Sequence, residues 1–433
     1  MPTPTLDLGL ARSRFPALKS GYIFADNAGG SQAAVDVIER ITDYLSNTNV
    51  QLGADYSVSV ESTTRVLSDG PTEAAKLFGA GNLNGDVSFD EVVFGSSSTL
   101  NLANLARGLE SDISPGDEFI ITGEHEANVG PWKKLAAKLN LEVKHWRPRR
   151  THPGNSYAIK HEISDLLPLI TSRTRIVAFS ACSNILGTIN PVGEIVKAIR
   201  AEAKKQGARK VEISVDCVAY APHRLMDVKA WDVDFCVFSY YKVYGPHISA
   251  LYVRSSVLEH SVTSLVHHFL DVATVAYKLQ PGGPGYELVY GTTGVNPYLL
   301  SLTTENNLKA TFDAIAAHEQ KLLERLLGFL TDDKRKERGV RIVGDEKVSM
   351  NRVPTVSFVV VGDKPLMSRD VVTVFDKKGG IGIRYGHFYA YTIIDELEPK
   401  IDTANGVVRI SLVHYNTLEE VDKIIAVLEE IFT

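Results

Sequence analysis

The chain has 433 residues, 44% of them hydrophobic and 23% charged, with a formal net charge of −6. That balance fits a globular protein of two or three domains. It excludes a disordered chain or one built around a basic nucleic-acid-binding surface.

In chain order, the opening MPTPTLDLGLARSRFP lacks a long apolar stretch and a cleavage pattern, so a cytoplasmic protein is expected. No apolar run anywhere reaches about 18 residues, so no membrane span is expected. Residues 22–24 read as a short strand. Residues 26–30, DNAGG, read as a donor-rich turn: a plain strand-to-helix connection, or a place where a ligand approaches the backbone closely. Ser31 is placed to cap a helix on which Val35, Ile38, Ile41 and Leu45 recur at helical spacing. From about residue 91, short β runs alternate with helical stretches. EVVF, DEFIIT, LEVKHW, RIVAFS, VEISVD, DFCVFS and ALYVR read as strands, and 99–109, 129–139, 161–170 and 192–205 as helices. This alternation predicts a mainly parallel sheet covered by helices on both faces. A Gly/Pro cluster at 280–294 interrupts it, and 303–330 reads as a long amphipathic helix leading to a smaller α/β unit. There TVSFVVVG and GVVRISLVHYN read as strands and 368–378 as a helix. Thr417 and Glu420 form the capping box of a last helix, buried through Val421, Ile424, Ile425 and Leu428. Cys182, Cys217 and Cys236 match neither a disulfide framework nor a metal-ligand spacing, so reduced thiols and no metal centre are expected.

In such sheets ligands sit at the carboxyl ends of the strands, and these ends carry unusual residues. Gly95-Ser96-Ser97-Ser98 follows EVVF and opens a helix, as a routine N-cap or a phosphate site. His125 follows DEFIIT and either stacks on a flat aromatic ligand or is simply hydrogen-bonded. Asn184 follows RIVAFS and either meets a ligand oxygen or supports its turn. Asp216 closes VEISVD, where a buried carboxylate needs a partner; a protonated pyridine nitrogen is one that keeps it ionised. At the next strand end WDVDFCVFSYYKVYGP (231–246) delivers Lys242. Alone it reads as a surface lysine after a strand, yet an amine at a buried strand end must be paired or chemically employed. Phosphate donors, a stacking ring, a pyridinium partner and an amine, in this order, are the parts that hold pyridoxal phosphate as a Schiff base.

EHEANVGPW, SNILGTINP, DVDFCVFSYYKVYGP, RYGHFYA and VRISLVHYNT resemble blocks of the class V aminotransferase or cysteine-desulfurase-like family of fold type I pyridoxal-phosphate enzymes. The resemblance runs from about Tyr22 to the last helix. It implies an α/β fold with a large, mainly parallel-sheet α/β/α domain over 31–300 and a smaller C-terminal α/β domain over 301–433. An N-terminal segment, 1–30, is expected near the small domain and the site. The resemblance also implies that Lys242 anchors the cofactor, Asp216 pairs with its pyridine nitrogen and His125 stacks on its ring. Ser96, Ser97, Ser239 and Tyr241 are expected at the phosphate. Thr292, in YGTTG, matches a threonine that reaches the phosphate in the partner subunit's site, which implies a homodimer. Asn27, Asn184, Arg384 and Arg409 are expected around the amino-acid substrate. The Arg409 fork suits an α-carboxylate.

Three departures from the desulfurase pattern bear on the reaction. Tyr389 stands in RYGHFYA where desulfurases carry a nucleophilic cysteine, Ala219 where they carry a glutamine, and Tyr241 where they carry a histidine beside the lysine. Persulfide formation needs a mobile thiolate in that loop, so cysteine desulfurase activity is not expected; Cys217 is a poorly placed substitute. His223 is expected to support its turn. Lys242, Tyr389 and His387 are expected to be catalytic, with Arg384 as a second carboxylate binder. The tyrosine-bearing loop and YKVYGPH are similar to fungal biosynthetic members of the family that catalyse decarboxylative aldol or Mannich-type reactions. The expectation is an enzyme of secondary metabolism that acts on an amino acid through an external aldimine and a carbanion or enamine, and forms a C–C bond. The same residues leave open a C–S lyase acting by β-elimination, an amino-acid epimerase and a non-catalytic pyridoxal-phosphate-binding protein.

Overall fold

A strand buried on both faces needs apolar side chains at successive positions, which the β runs from residue 91 onward supply. The computed structural model describes residues 4–80, 89–270 and 275–433. Its first strands are β1 (Ile23–Phe24), β2 (Val92–Gly95), β3 (Glu118–Thr122), β4 (Glu142–Trp146), β5 (Arg149–His152) and β6 (Asn155–Lys160). They continue with β7 (Thr174–Ser180), β8 (Glu212–Asp216), β9 (Phe235–Ser239) and β10 (Ser249–Val253). Seven strands in the order β2-β10-β9-β8-β7-β3-β4 make the large sheet of the described residues, with β10 antiparallel to both its neighbours. One face packs Phe179, Ile213 and Phe238 against the helix Val192–Gln206. The other packs Phe119, Ile121 and Val237 against helices Ser98–Leu109 and Gly130–Leu139. Each such side chain, fully buried, contributes about 1.5–3 kcal/mol. The strand order sets the carboxyl ends of β3, β7, β8 and β9 side by side.

The later strands are β11 (Val340–Val343), β12 (Thr355–Val360), β13 (Ile381–Gly382), β14 (Arg384–Gly386) and β15 (Val407–Ser411). An antiparallel sheet, β11-β12-β15-β14, shares its core with the final helix, Leu418–Phe432, whose Thr417–Glu420 capping box is formed. Helix Leu308–Leu330, capped by Asn307, serves both cores. Phe312 and Ile315 pack with the large sheet, Leu322, Leu323, Leu326 and Leu327 with the small one. The N-terminal stretch is stitched to the small sheet: β1 pairs in parallel with β13, and Asp26 bridges Ser411. Among the described residues no helix is long and apolar enough to cross a membrane.

Three local expectations are corrected. Ser31 does not cap a helix, because the helix starts at Val35 with Ala34 at its N-cap. Instead Ser31 joins the Lys242 loop: its N–H donates to the Tyr241 carbonyl, and its hydroxyl accepts from the Tyr244 N–H. On that helix Ile38 and Leu45 face outward at 43% and 50% exposure, while Val37 and Tyr44 are buried. The helix expected over 161–170 is one turn, Ile163–Leu166, followed by a 3-10 turn containing Pro168, which has no N–H to continue a helix.

Candidate active site

After β9 a single 3-10 turn, Tyr240–Lys242, carries the chain over the sheet end and leaves Lys242 5% exposed. The loop closes on itself, with the Gly245 N–H donating to the Tyr240 carbonyl and the Tyr240 N–H to that of Ile248. Burial lowers the Lys242 pKa to about 8; Arg409 pushes the same way, while Asp216 and Asp26 oppose. Asp216, 4% exposed at the end of β8, accepts a hydrogen bond from the Val218 N–H at 2.8 Å. Burial raises its pKa against the pull of that N–H and of Lys242. His125 follows β3. Its Nδ1 accepts from the Ala127 N–H at 3.2 Å, which puts the proton of the neutral ring on Nε2. Burial, then Lys242 and Arg409, lower its pKa to about 3, so the ring is uncharged at neutral pH.

Lys242, Asp216, His125, Asn184, Tyr241 and Ser97 line one cavity of about 80 Å³. Helix Ser98–Leu109 starts at its wall: Ser97 caps the helix by accepting from the Leu100 N–H at 3.1 Å. The N–H groups of Ser98 and Thr99 lack intrahelical acceptors and suit an anion. A second cavity of about 380 Å³ shares Thr99, His125, Asn184, Tyr241 and Lys242 with the first, and adds Arg384, Phe388, Tyr389 and Arg409.

The small sheet supplies that outer wall. Arg409, 1% exposed on β15, donates from Nη2 to Asp26 Oδ1 at 2.8 Å and from Nη1 to the Asn184 carbonyl at 3.2 Å. Phe388 lies under its guanidinium, with the ring centroid 3.7 Å from Cζ. Burial lowers the Arg409 pKa, opposed by Asp26. Phe388 and Tyr389 both adopt positive φ, at 50° and 60°, a conformation non-glycine residues rarely hold unless their surroundings impose it. Here two bonds pin the loop: the Asn184 amide donates to the Phe388 carbonyl at 2.9 Å, and the Glu126 N–H to that of Tyr389 at 2.8 Å. Tyr389 is left 66% exposed at the mouth, its ring 5.6 Å from that of His125.

The side chains of five residues expected at the site line neither cavity. Ser96 is exposed just before the cap. The Ser239 hydroxyl shares a hydrogen bond with that of Ser249 at 2.6 Å inside the sheet. Thr292, 1% exposed, donates to the Val289 carbonyl at 2.6 Å in its own helix. Asn27 donates to the Phe24 and Ser411 carbonyls and accepts from the Tyr415 hydroxyl. His387 accepts from the Tyr389 N–H at 3.2 Å. His223 holds Glu319 of the long helix at 2.8 Å, so it ties its turn to that helix. Cys182 lines the inner cavity with its thiol pKa pushed up by burial. Cys217 is fully buried with its Sγ 3.4 Å from that of Cys236.

Sequence reasoning missed Thr99, Glu126 and Phe388 on the cavity walls, and Asp26 and Glu124 behind them. Glu124 is 1% exposed and accepts from the Ser183 hydroxyl at 2.8 Å; burial raises its pKa to about 7. Ser183 in turn accepts from the Leu186 N–H, fixing the turn that carries Asn184. A carboxyl group beside His125 was the available signal.

A model of the class-V aminotransferase family matches residues 23–424. The chain is 41% identical to the aminotransferase-like protein FGM3 of Gibberella zeae, over 99% of both chains. It is 32% identical over 98% of its length to the nonribosomal peptide synthetase-like enzyme fsqF of Aspergillus fumigatus, of which it spans 26%. The apo cysteine desulfurase of Thermococcus onnurineus superposes with a TM-score of 0.81, at 25% identity, covering 100% of this chain and 99% of that one. Members of the family bind pyridoxal phosphate and are typically homodimeric, and the fold is that of the fold type I enzymes. With all but the chain ends matched and the strand-end cavity in place, this chain belongs to the class-V aminotransferase family.

Proposed function

We propose that the chain binds pyridoxal phosphate and acts on an amino acid, joining its α- or β-carbon to a carbon electrophile by Mannich- or aldol-type chemistry, with or without decarboxylation. The residues fit the cofactor. One small cavity gathers a buried amine, a buried carboxylate, an uncharged imidazole and a helix start, and the Asn184 Oδ1 beside them has no hydrogen-bond partner. Bound there, pyridoxal phosphate supplies an electron sink for negative charge developing at the α-carbon. Lys242 anchors it and moves a proton at that carbon. Asp216 holds the pyridine nitrogen ionised, His125 covers the ring, and Ser97, Tyr241 and the N–H groups of Ser98 and Thr99 hold the phosphate. Arg409 and Asn184 orient the α-carboxylate, while Tyr389 and Arg384 shape the mouth where the second substrate enters, and His387 supports the Tyr389 backbone. We also propose that the working form is a cytoplasmic homodimer.

The observation that carries the reaction class is Tyr389. A phenol occupies the loop tip at the mouth, and the thiols nearest in the fold are buried with raised pKa values. A buried thiol with a raised pKa is a poor nucleophile.

Lys242→Ala should abolish the visible absorption of the bound cofactor and its fixation by borohydride; a band that survives would remove Lys242 from this role. The reaction is tested by incubating the enzyme with amino acids in D₂O, with and without aldehydes, and reading products by mass spectrometry. A new amino-acid–aldehyde adduct is expected. Sulfide with pyruvate would select β-elimination, inverted configuration without adduct an epimerase, and no turnover a binding protein.

A further inference from the structure

Arg409 is already occupied by groups of the protein. Its Nη2 holds Asp26 Oδ1, its Nη1 holds the Asn184 carbonyl, and Phe388 covers its face. Nε is buried without an acceptor. A guanidinium presents a carboxylate with one pair of parallel N–H groups at a time. Either two-bonded edge of a guanidinium includes Nη2, so a substrate carboxylate docking on Arg409 meets Asp26 at that nitrogen.

Asp26 has a second cation within reach. Its Oδ2 lies 3.5 Å from Nη1 of Arg384, at the long limit of a hydrogen bond, and the Arg384 side chain is 56% exposed. The backbone on either side of residue 26 is fixed: the Asn27 N–H donates to the Ser411 carbonyl, and the Ser411 N–H to that of Ala25. The side chain is 23% exposed and lies against Arg384. Gly29 stands beside it, where an added Cβ would lie 2.8 Å from Asp26 Oδ2 and 3.2 Å from Arg384 Nη1.

We propose that Asp26 is a specificity-determining carboxylate that sits on Arg409 until a substrate carboxylate docks, then passes to Arg384. The exchange breaks the Asp26–Arg409 pair, forms the substrate–Arg409 pair and tightens the Asp26–Arg384 pair, so the number of ion pairs does not fall. An amine without a carboxylate cannot displace Asp26 and meets a closed Arg409. Arg384 is then the residue that receives Asp26, and its loss hinders binding only while Asp26 is present. The inference rests on the reading of Arg409 as the α-carboxylate binder.

The test uses the cofactor-loaded enzyme, with L-alanine as probe and L-alaninamide as its carboxylate-free control. Binding is read from the change in visible absorption of the cofactor. Asp26→Asn, close to isosteric, should bind L-alanine on the order of tenfold more tightly than the wild type, with little change for L-alaninamide. Arg384→Gln should weaken L-alanine binding in the wild-type background and leave it unchanged in the Asp26→Asn background. A purely structural role for Asp26 would move both probes together. The inference is overturned if Asp26→Asn binds L-alanine no more tightly than the wild type, or if the effect of Arg384→Gln is the same in both backgrounds. Absence of the cofactor band in the wild type would instead defeat the cofactor reading, so the two failures are distinguishable.

Discussion

At the residue scale, Lys242 shows a group held where its charge is disfavoured. Its pKa falls to about 8 in the fold, against about 10.4 in an unfolded chain. Between these values the folded chain binds fewer protons than the unfolded one, so stability rises with pH through that window. Below about pH 8 the folded state bears the whole penalty of a buried ammonium, and above about 10.4 it bears none. Lys242→Met, which keeps the length of the side chain without its charge, should therefore stabilise the cofactor-free protein at pH 7 by about 1–3 kcal/mol, allowing for relaxation. The advantage should fade between about pH 8 and 10. Denaturant melts at several pH values measure this, and a Met variant less stable than the wild type at pH 7 would refute it. The same depressed pKa makes the neutral, nucleophilic amine abundant just above neutrality, so capture of added cofactor should quicken as pH rises through about 8.

At the scale of elements, the loop bearing Tyr389 depends on a glycine immediately before β15, the strand paired with β14. Gly406 has φ +55°, and a Cβ there would stand 2.1 Å from the carbonyl carbon of Gly386, where β14 hands over to the loop. Gly406→Ala should cost about 2–4 kcal/mol from left-handed strain and overpacking together, and should speed proteolysis within 386–390. Gly207→Ala is the control: it is left-handed, with φ +71° and ψ 30° and nothing within 4 Å, so only about 1–2 kcal/mol is expected and no loop effect. Equal effects would show that Gly386 gives way freely. This coupling was not legible in the sequence, whereas the strands of the large sheet were. Phe235–Phe238 and Ile176–Phe179 are buried at every position, so these stretches had to be written in continuous apolar residues. The hairpin β5–β6 was missed because Arg149–His152 is wholly exposed and carries no apolar pattern. Lys242, Asp216 and His125 were legible because each closes or follows an apolar strand with a residue that burial makes costly. Asp26 was not, because its contacts with Arg384 and Arg409 exist only once β1 pairs with β13. Ser96 was chosen over Ser98 and Thr99 because a run of hydroxyl residues does not reveal which of them caps the helix.

At the scale of the whole molecule, several of the apolar residues that face outward sit on two helices near the N-terminus. Ile38 and Leu45 project from helix Val35–Asn47 and Val60 from helix Ser57–Thr64, at 43%, 50% and 51% exposure. Leu67, 46% exposed, also forms part of the wall of an apolar cavity of about 420 Å³ with Phe94, Tyr277 and Tyr286. Helix Val35–Asn47 packs on helix Tyr286–Thr292, so this region adjoins the threonine expected to serve a second copy. Large apolar side chains left exposed on neighbouring helices suit an association site. The proposed homodimer would cover it, and a stable one buries on the order of 1,600 Å² or more. Light scattering at micromolar concentration should then give twice the 47.4 kDa of one chain. Replacing Leu45 and Val60 together by Asp should shift that mass toward one chain, because each introduces a charge that pairing would have to desolvate. If Thr292 of the partner subunit holds the cofactor's phosphate, cofactor affinity should fall in step with the loss of dimer. Thr292→Ala should lower it in the dimer without changing the mass. Its hydroxyl, which now donates to the Val289 carbonyl, must turn outward to do so. A wild-type chain that runs at the mass of one copy while holding cofactor tightly would reject the dimer. A Thr292→Ala dimer with unchanged cofactor affinity would reject only the threonine's part in it.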